Sequence, residues 1–173
     1  MKTRFLTTVC ALLTLAVLLG GCSAGAEKAP KKEVGIQLYS VRSLIGAFGN
    51  NQEDYKPVLK QLADMGYTSV EAASYKDGKI YGQTPEQFRK DVEEAGMKVL
   101  STHCTINLSD EELAAGDFSK ALAWWDECIA AHKAAGAEYI VVPSMRKVST
   151  LEELATYCRY FNEIGARCKA AGL

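Results

Sequence analysis

The feature that most constrains the fold is a repeated punctuation mark, a helical run that ends in glycine and passes at once into a β-rich run. It occurs in "ADMGYTSVEA" around Gly66, "EEAGMKVLST" around Gly96 and "KAAGAEYIVV" around Gly136, and its helical half returns at Gly172 in "KAAGL". The glycines lie 30, 40 and 36 residues apart. A glycine at a helix end takes the left-handed turn that other residues resist, and a repeat of this size marks one strand-plus-helix unit. Parallel strands joined through helices need right-handed crossovers. The expected order is therefore βα four times over.

Local signals fill in the units. Val34–Val41 reads as the first strand. A helix is expected to open at Asn50–Gln52, with Pro57 in its first turn and Val58, Leu59, Leu62 and Met65 at helical spacing. Thr68–Glu71 is a short second strand. Thr84-Pro85-Glu86-Gln87 is a capping box with proline at the first helical position, so a second helix runs to Gly96. Val99–Cys104 is the third strand. Ser109-Asp110-Glu111-Glu112 caps a short extra helix, and Gly116-Asp117 opens a longer one through Trp124, Ile129 and Ala134. Tyr139–Pro143 is a continuous apolar run of the kind buried on both faces of a parallel sheet. Thr150–Glu153 is another capping box, and the last helix carries Leu154, Tyr157, Phe161 and Ile164.

Two architectures accommodate this order. A doubly wound sheet usually has a phosphate-binding glycine loop after its first strand, and Gly46 and Gly49 in "IGAFGN" do not make GxGxxG. A (β/α)₈ barrel needs roughly 250 residues, so this α/β chain would hold its first four βα units, an incomplete TIM barrel. Its first and fourth strands would then be open apolar edges that invite pairing. Either a longer parent protein or a second, complementing copy is expected to cover them.

The amino terminus reads as a targeting segment. Lys2 and Arg4 precede an apolar stretch from Phe5 to Leu19, too short to span a bilayer with comfort. Leu19-Gly20-Gly21-Cys22 resembles the lipobox of bacterial lipoproteins, in which cleavage precedes the cysteine and the cysteine carries the lipid. The expected organisation is a signal peptide over residues 1–21, a flexible charged tether over 22–33 beginning at the lipid-bearing Cys22, and a folded domain over 34–173. An extracytoplasmic, membrane-anchored protein follows from that. Without Lys2 and Arg4, 18 basic residues face 21 acidic ones, which is not the basic surface of a nucleic-acid binder. Cys104, Cys128, Cys158 and Cys168 remain in the domain, where an oxidising compartment permits disulfides; they allow three full pairings and show no zinc-ligand spacing, and as each sits among apolar residues, most of them read as small buried hydrophobes.

In a barrel the chemistry gathers at the C-terminal ends of the strands. The polar residues there are Gln37, Tyr39 and Arg42 after strand one, Glu71 after strand two, His103 after strand three, and Ser144 and Arg146 after strand four. His132, between Ala131 and Lys133 in mid-helix, reads as exposed. Of Trp124 and Trp125, only one can face inward.

At these residues the chain resembles a known family. "VGIQLYSVR", "MGYTSVE", "VLSTHC" and "AEYIVVPSM" are similar to the first four strands of the xylose isomerase-like TIM-barrel family, the sugar phosphate isomerases/epimerases, and most of all to its exported members in Bacteroidota-type bacteria. The resemblance implies divalent-metal-assisted proton abstraction beside a sugar carbonyl, through an enediolate, with a small carbohydrate as substrate. It places Glu71 and His103 on the pocket wall holding substrate hydroxyls, Gln37 and Tyr39 on its floor, and Ser144 among the substrate-binding residues. The family's Glu/Asp/His/Glu metal set comes from strands five to eight. The ion (Mn, Mg, Zn or Co) is thus expected for a full-length protein, its ligands absent from this chain, and the chain inactive by itself. A non-catalytic sugar-binding or scaffold lipoprotein is the alternative. An endonuclease IV-like hydrolase, which uses several zinc-bound histidines, fits poorly with two histidines and an acidic balance.

Overall fold

The computed structural model describes residues 32–47, 50–51, 54–73 and 75–173. The expected signal peptide, the expected lipid-bearing Cys22 and all but the last two residues of the expected tether lie outside the described residues. Strand β1 (Gly35–Gln37) leads through a 3₁₀ turn (Leu38–Val41) into the short helix α1 (Arg42–Ile45) and a hairpin of β2 (Gly46–Ala47) with β3 (Asn50–Asn51). Helix α2 (Lys56–Asp64) returns to β4 (Ser69–Ala72), and a second hairpin pairs β5 (Tyr75–Lys76) with β6 (Lys79–Ile80). Then come α3 (Pro85–Glu94), β7 (Lys98–His103), α4 (Asp110–Ala115), α5 (Ser119–Ala134), β8 (Tyr139–Val141) and α6 (Leu151–Ala171).

The central sheet runs β1-β4-β7-β8, every pair parallel. That order is also the order along the chain. A doubly wound sheet reverses direction at its switch point, whereas a barrel adds each strand beside the last. The absence of any reversal among these four strands decides between the two architectures. The fold is the first four βα units of a TIM-type barrel.

The helices begin where local chemistry says they should. Thr84 Oγ1 accepts the Gln87 N–H at 3.2 Å, Thr150 Oγ1 accepts the Glu153 N–H at 3.1 Å, and Ser109 and Glu112 cap each other reciprocally. Each such cap satisfies an amide that the helix itself leaves open and contributes about 1 kcal/mol. At the other ends the glycines carry positive φ. At Gly136 (φ +73°) any side chain would also strike Arg89, whose Nε lies 3.1 Å from the position of a Cβ.

Two apolar clusters pack behind the sheet. Leu59, Leu62, Phe88 and Val92 of α2 and α3 cover Val70 and Val99. Trp125, Cys128 and Ile129 of α5 meet Tyr157, Tyr160 and Ile164 of α6. Trp125 is fully buried and donates its indole N–H to Tyr160 Oη at 2.7 Å, while Trp124 lies edge-on to Tyr75 at the rim. Cys104 and Cys128 form a disulfide, and Cys158 and Cys168 are free thiols.

Four expectations need correction. The first strand is only Gly35–Gln37, because the chain turns inward at Leu38 to bury that side chain completely. The first long helix starts at Lys56 rather than Asn50, since Asn50–Asn51 pairs back onto Gly46–Ala47. The fourth strand is not buried on both faces. Tyr139 is 59% exposed, because β8 is the edge of the sheet and has no neighbour beyond it among the described residues. His132 is fully buried, not exposed: it extends the inward stripe Ala121, Trp125, Cys128, Ile129 at intervals of three and four residues.

Candidate functional site at the strand ends

The register of the sheet brings three polar side chains together. Gln37 stands opposite Glu71, and Glu71 stands opposite Ser101. Successive strand residues face opposite sides, so Ser101 and His103 share one face of β7 and Thr102 takes the other. The placement depends on a bulge. Val70 pairs with Val99, but Glu71 pairs with Ser101, so Leu100 is an extra residue with no partner on β4. Without it, Ser101 and His103 would point to the helices.

Glu71 is the hub. Ser101 Oγ donates to its Oε2 at 2.6 Å, and Gln37 Nε2 donates to its Oε1 at 2.7 Å. His103 Nε2 lies 2.9 Å from the same Oε1 and 3.2 Å from Gln37 Nε2. One imidazole nitrogen cannot both donate to the carboxylate and accept from the amide. Charge-assisted hydrogen bonds are the stronger kind, so Nε2 carries its proton and gives it to Glu71. Burial pushes the Glu71 carboxyl up. The hydrogen bonds from Ser101 and Gln37, followed by the charge and hydrogen bond of His103, outweigh that and hold it below its ordinary value of 4.5. Both side chains remain open to solvent, Glu71 at 23% and His103 at 14%.

A carboxylate whose pKa is held below the ordinary value is a weaker base than a free one. Abstraction of a proton from carbon is served by a base tuned upward, toward the working pH. The cluster suits hydroxyl binding instead. It offers an acceptor oxygen pair and an imidazole, rigidly oriented by three strands, that can take the hydroxyl protons of a polyol. The same geometry bears on metal binding. One carboxylate and one imidazole, already bonded to each other, do not make the ligand set of a hard divalent ion. Among the described residues the one grouping of three or more potential ligands within reach of a common ion is Cys104, Cys128 and His132, which does not include Glu71 or His103 and whose two sulfurs are joined in a disulfide. These residues therefore do not fit the divalent ion that the family resemblance implies.

The other expected site residues stand elsewhere. Tyr39 lies in the 3₁₀ turn with the Arg42 guanidinium 4.2 Å from its ring centroid, and Arg42 donates to the Tyr39 carbonyl at 2.9 Å. Ser144 is exposed in the loop after β8, where its carbonyl accepts from Thr105 at 3.3 Å. Arg146 pairs with Asp110 at 2.6 Å and pins that loop to the start of α4. Sequence reasoning missed Ser101. Its signal was the i, i+2 spacing from His103 in "STH", which puts a second polar group on the same face.

No protein-family model matches the chain, and no curated protein matches it. Solved structures do. Two are sugar phosphate isomerase/epimerases from Parabacteroides distasonis: one is 24% identical with a TM-score of 0.66 over 88% of this chain and 52% of its own. The other is 29% identical with a TM-score of 0.67 over 82% of this chain and 51% of its own. A third, a fusion of a xylose isomerase-like TIM barrel with a 4-hydroxyphenylpyruvate dioxygenase, is 18% identical with a TM-score of 0.57 over 83% of this chain and 21% of its own. The chain spans about half the length of the two isomerase/epimerase structures. The resemblance seen in the strand sequences is thus a resemblance in three dimensions as well.

Proposed function

We propose that this chain supplies the sugar-binding wall of a sugar isomerase or epimerase barrel, with Gln37, Glu71, Ser101 and His103 gripping the hydroxyls of a small carbohydrate. The observation that carries the reading is the single hydrogen-bonded cluster centred on Glu71 at the C-terminal ends of three adjacent parallel strands, where a TIM barrel keeps its substrate. The likeness to sugar phosphate isomerase/epimerases supports the substrate class. Glu71 accepts from vicinal hydroxyls, Ser101 and Gln37 hold its carboxylate in place, and His103 donates or passes a proton at the rim. Proton abstraction beside the sugar carbonyl, with its divalent ion, is work for residues beyond these four, and the chain alone is expected to bind without turning substrate over. The lipobox-like Leu19–Cys22 supports a lipid-anchored, extracytoplasmic protein. Free or oxidised sugars suit that setting better than sugar phosphates.

Calorimetric titration with keto- and aldo-sugars tests the reading. Saturable binding that Glu71→Gln weakens about 10–100-fold is expected, the worth of hydrogen bonds to a charged group. Binding that ignores Glu71→Gln and His103→Asn would overturn it. Turnover with added divalent ions would instead mean that the chain is a complete catalyst, and binding without turnover in a longer parent protein would favour a sugar-binding lipoprotein.

A further inference from the structure

Behind the strand that carries His103 lies a second cluster, on the helix side. Cys104 follows β7, Cys128 and His132 stand one turn apart on α5, and all three are buried. We propose that, once reduced, these three side chains form a binding site for a thiophilic d¹⁰ ion, zinc(II) or copper(I).

Four observations carry it. Cys128 Sγ lies 3.5 Å from His132 Nδ1. Zinc bonds of about 2.3 Å to sulfur and about 2.0 Å to nitrogen, at a tetrahedral angle, put two such atoms roughly 3.5 Å apart. The Cα atoms of Cys104 and Cys128 are 7.7 Å apart. Disulfides usually hold Cα atoms about 4.4–6.8 Å apart, and an ion between the sulfurs spans a wider gap than an S–S bond does. Next, Thr102 Oγ1 contacts His132 Nε2. A histidine that binds metal through one nitrogen generally gives its other N–H to an oxygen, which fixes the ring. Last, Tyr75 packs 5.1 Å from the imidazole and shields it.

The metal-free state is also satisfied, which makes the site switchable. His132 Nδ1–H donates to the Cys128 carbonyl at 2.6 Å, leaving Nε2 to accept from Thr102. Two equivalents of a thiol reduce the Cys104–Cys128 bond to two thiols and leave as their own disulfide; a phosphine supplies the two electrons instead, and water supplies the two protons and the oxygen of the phosphine oxide that leaves. The ion then displaces a proton from each thiol, and the Nδ1 proton moves to Nε2, where the Thr102 hydroxyl turns to accept it. Three ligands suit copper(I) directly; zinc(II) would complete its shell with a water molecule.

The test is titration of the phosphine-reduced protein with cobalt(II) as a zinc probe. One equivalent per chain, with thiolate-to-cobalt charge-transfer absorption that zinc(II) or copper(I) then displaces, is expected. Cys104→Ser and Cys128→Ser should each abolish the absorption, and Thr102→Val should weaken binding about 10–100-fold. The double variant Cys158→Ser/Cys168→Ser should change nothing. Should a cysteine variant fail to fold, X-ray absorption of the zinc-loaded parent decides, with two sulfur neighbours and one imidazole expected. A reduced, folded protein that gives no such absorption, or one whose absorption survives both cysteine substitutions, overturns the proposal.

Discussion

Thr102 and His103 are neighbours on β7, yet they open onto two different environments. His103 points with Ser101 into the mouth, where it meets a carboxylate and water. Thr102 points to the helices, where it meets the fully buried His132. The two histidines therefore have opposite chemistry. In the mouth the imidazole bonds to a carboxylate, and behind the sheet burial without a charged partner keeps it neutral. One strand, read on its two faces, separates a hydroxyl-binding group from a metal-type ligand group.

The largest test of this contrast is stability. His132→Ala leaves a cavity and strips a hydrogen bond from both Thr102 and the Cys128 carbonyl, and should cost about 3 kcal/mol in urea denaturation. His103→Ala, at a partly exposed position in the mouth, should cost less than His132→Ala, about 1 kcal/mol. Equal costs would break the contrast. Trp125→Phe sharpens it from the dry side. Loss of the indole N–H to Tyr160, whose hydroxyl in turn donates to the Ile106 carbonyl at 3.1 Å, should cost about 1–2 kcal/mol in the same assay.

The wet side is tested by pH. Because the folded protein depresses the Glu71 pKa, its contribution to stability is fully present above the ordinary value of 4.5. It is lost as pH falls through the folded value, when the carboxylate takes a proton it holds less readily than in the unfolded chain. Denaturation midpoints measured from neutral pH to below 4 should fall less steeply in Glu71→Gln than in the parent. Ser101→Ala makes the smallest change. It removes one donor, so the carboxyl titration of Glu71, followed by NMR, should move up toward 4.5, and sugar affinity should drop by less than about tenfold. A titration that moves down would show that Ser101 does not stabilise the charge.

How much of this is legible in the chain follows the range of the forces involved. Thr84, Ser109 and Thr150 can be read as helix starts because a cap depends on residues three apart in sequence. Glu71 and His103 can be placed at strand ends because those ends are marked by the punctuation around them. Ser101 escapes such a reading because its direction depends on the bulge at Leu100, which exists only against β4. His132 misleads because it is itself polar and adjoins Lys133, which masks the stripe Trp125, Cys128, Ile129 that it continues. The first strand reads too long because alternation alone says nothing of Leu38 turning inward.

By itself the sequence determined the alternation of strands and helices, the helix boundaries set by caps and glycines, and which residue types arrive at the strand ends, since each depends on neighbours within a few positions. Tertiary structure decided the rest: that strands add in chain order as in a barrel, that Gln37, Glu71, Ser101 and His103 meet, and that Cys104 pairs with Cys128 beside His132. Those outcomes are set by pairing register and by which face packs on which helix, and such contacts join residues dozens of positions apart.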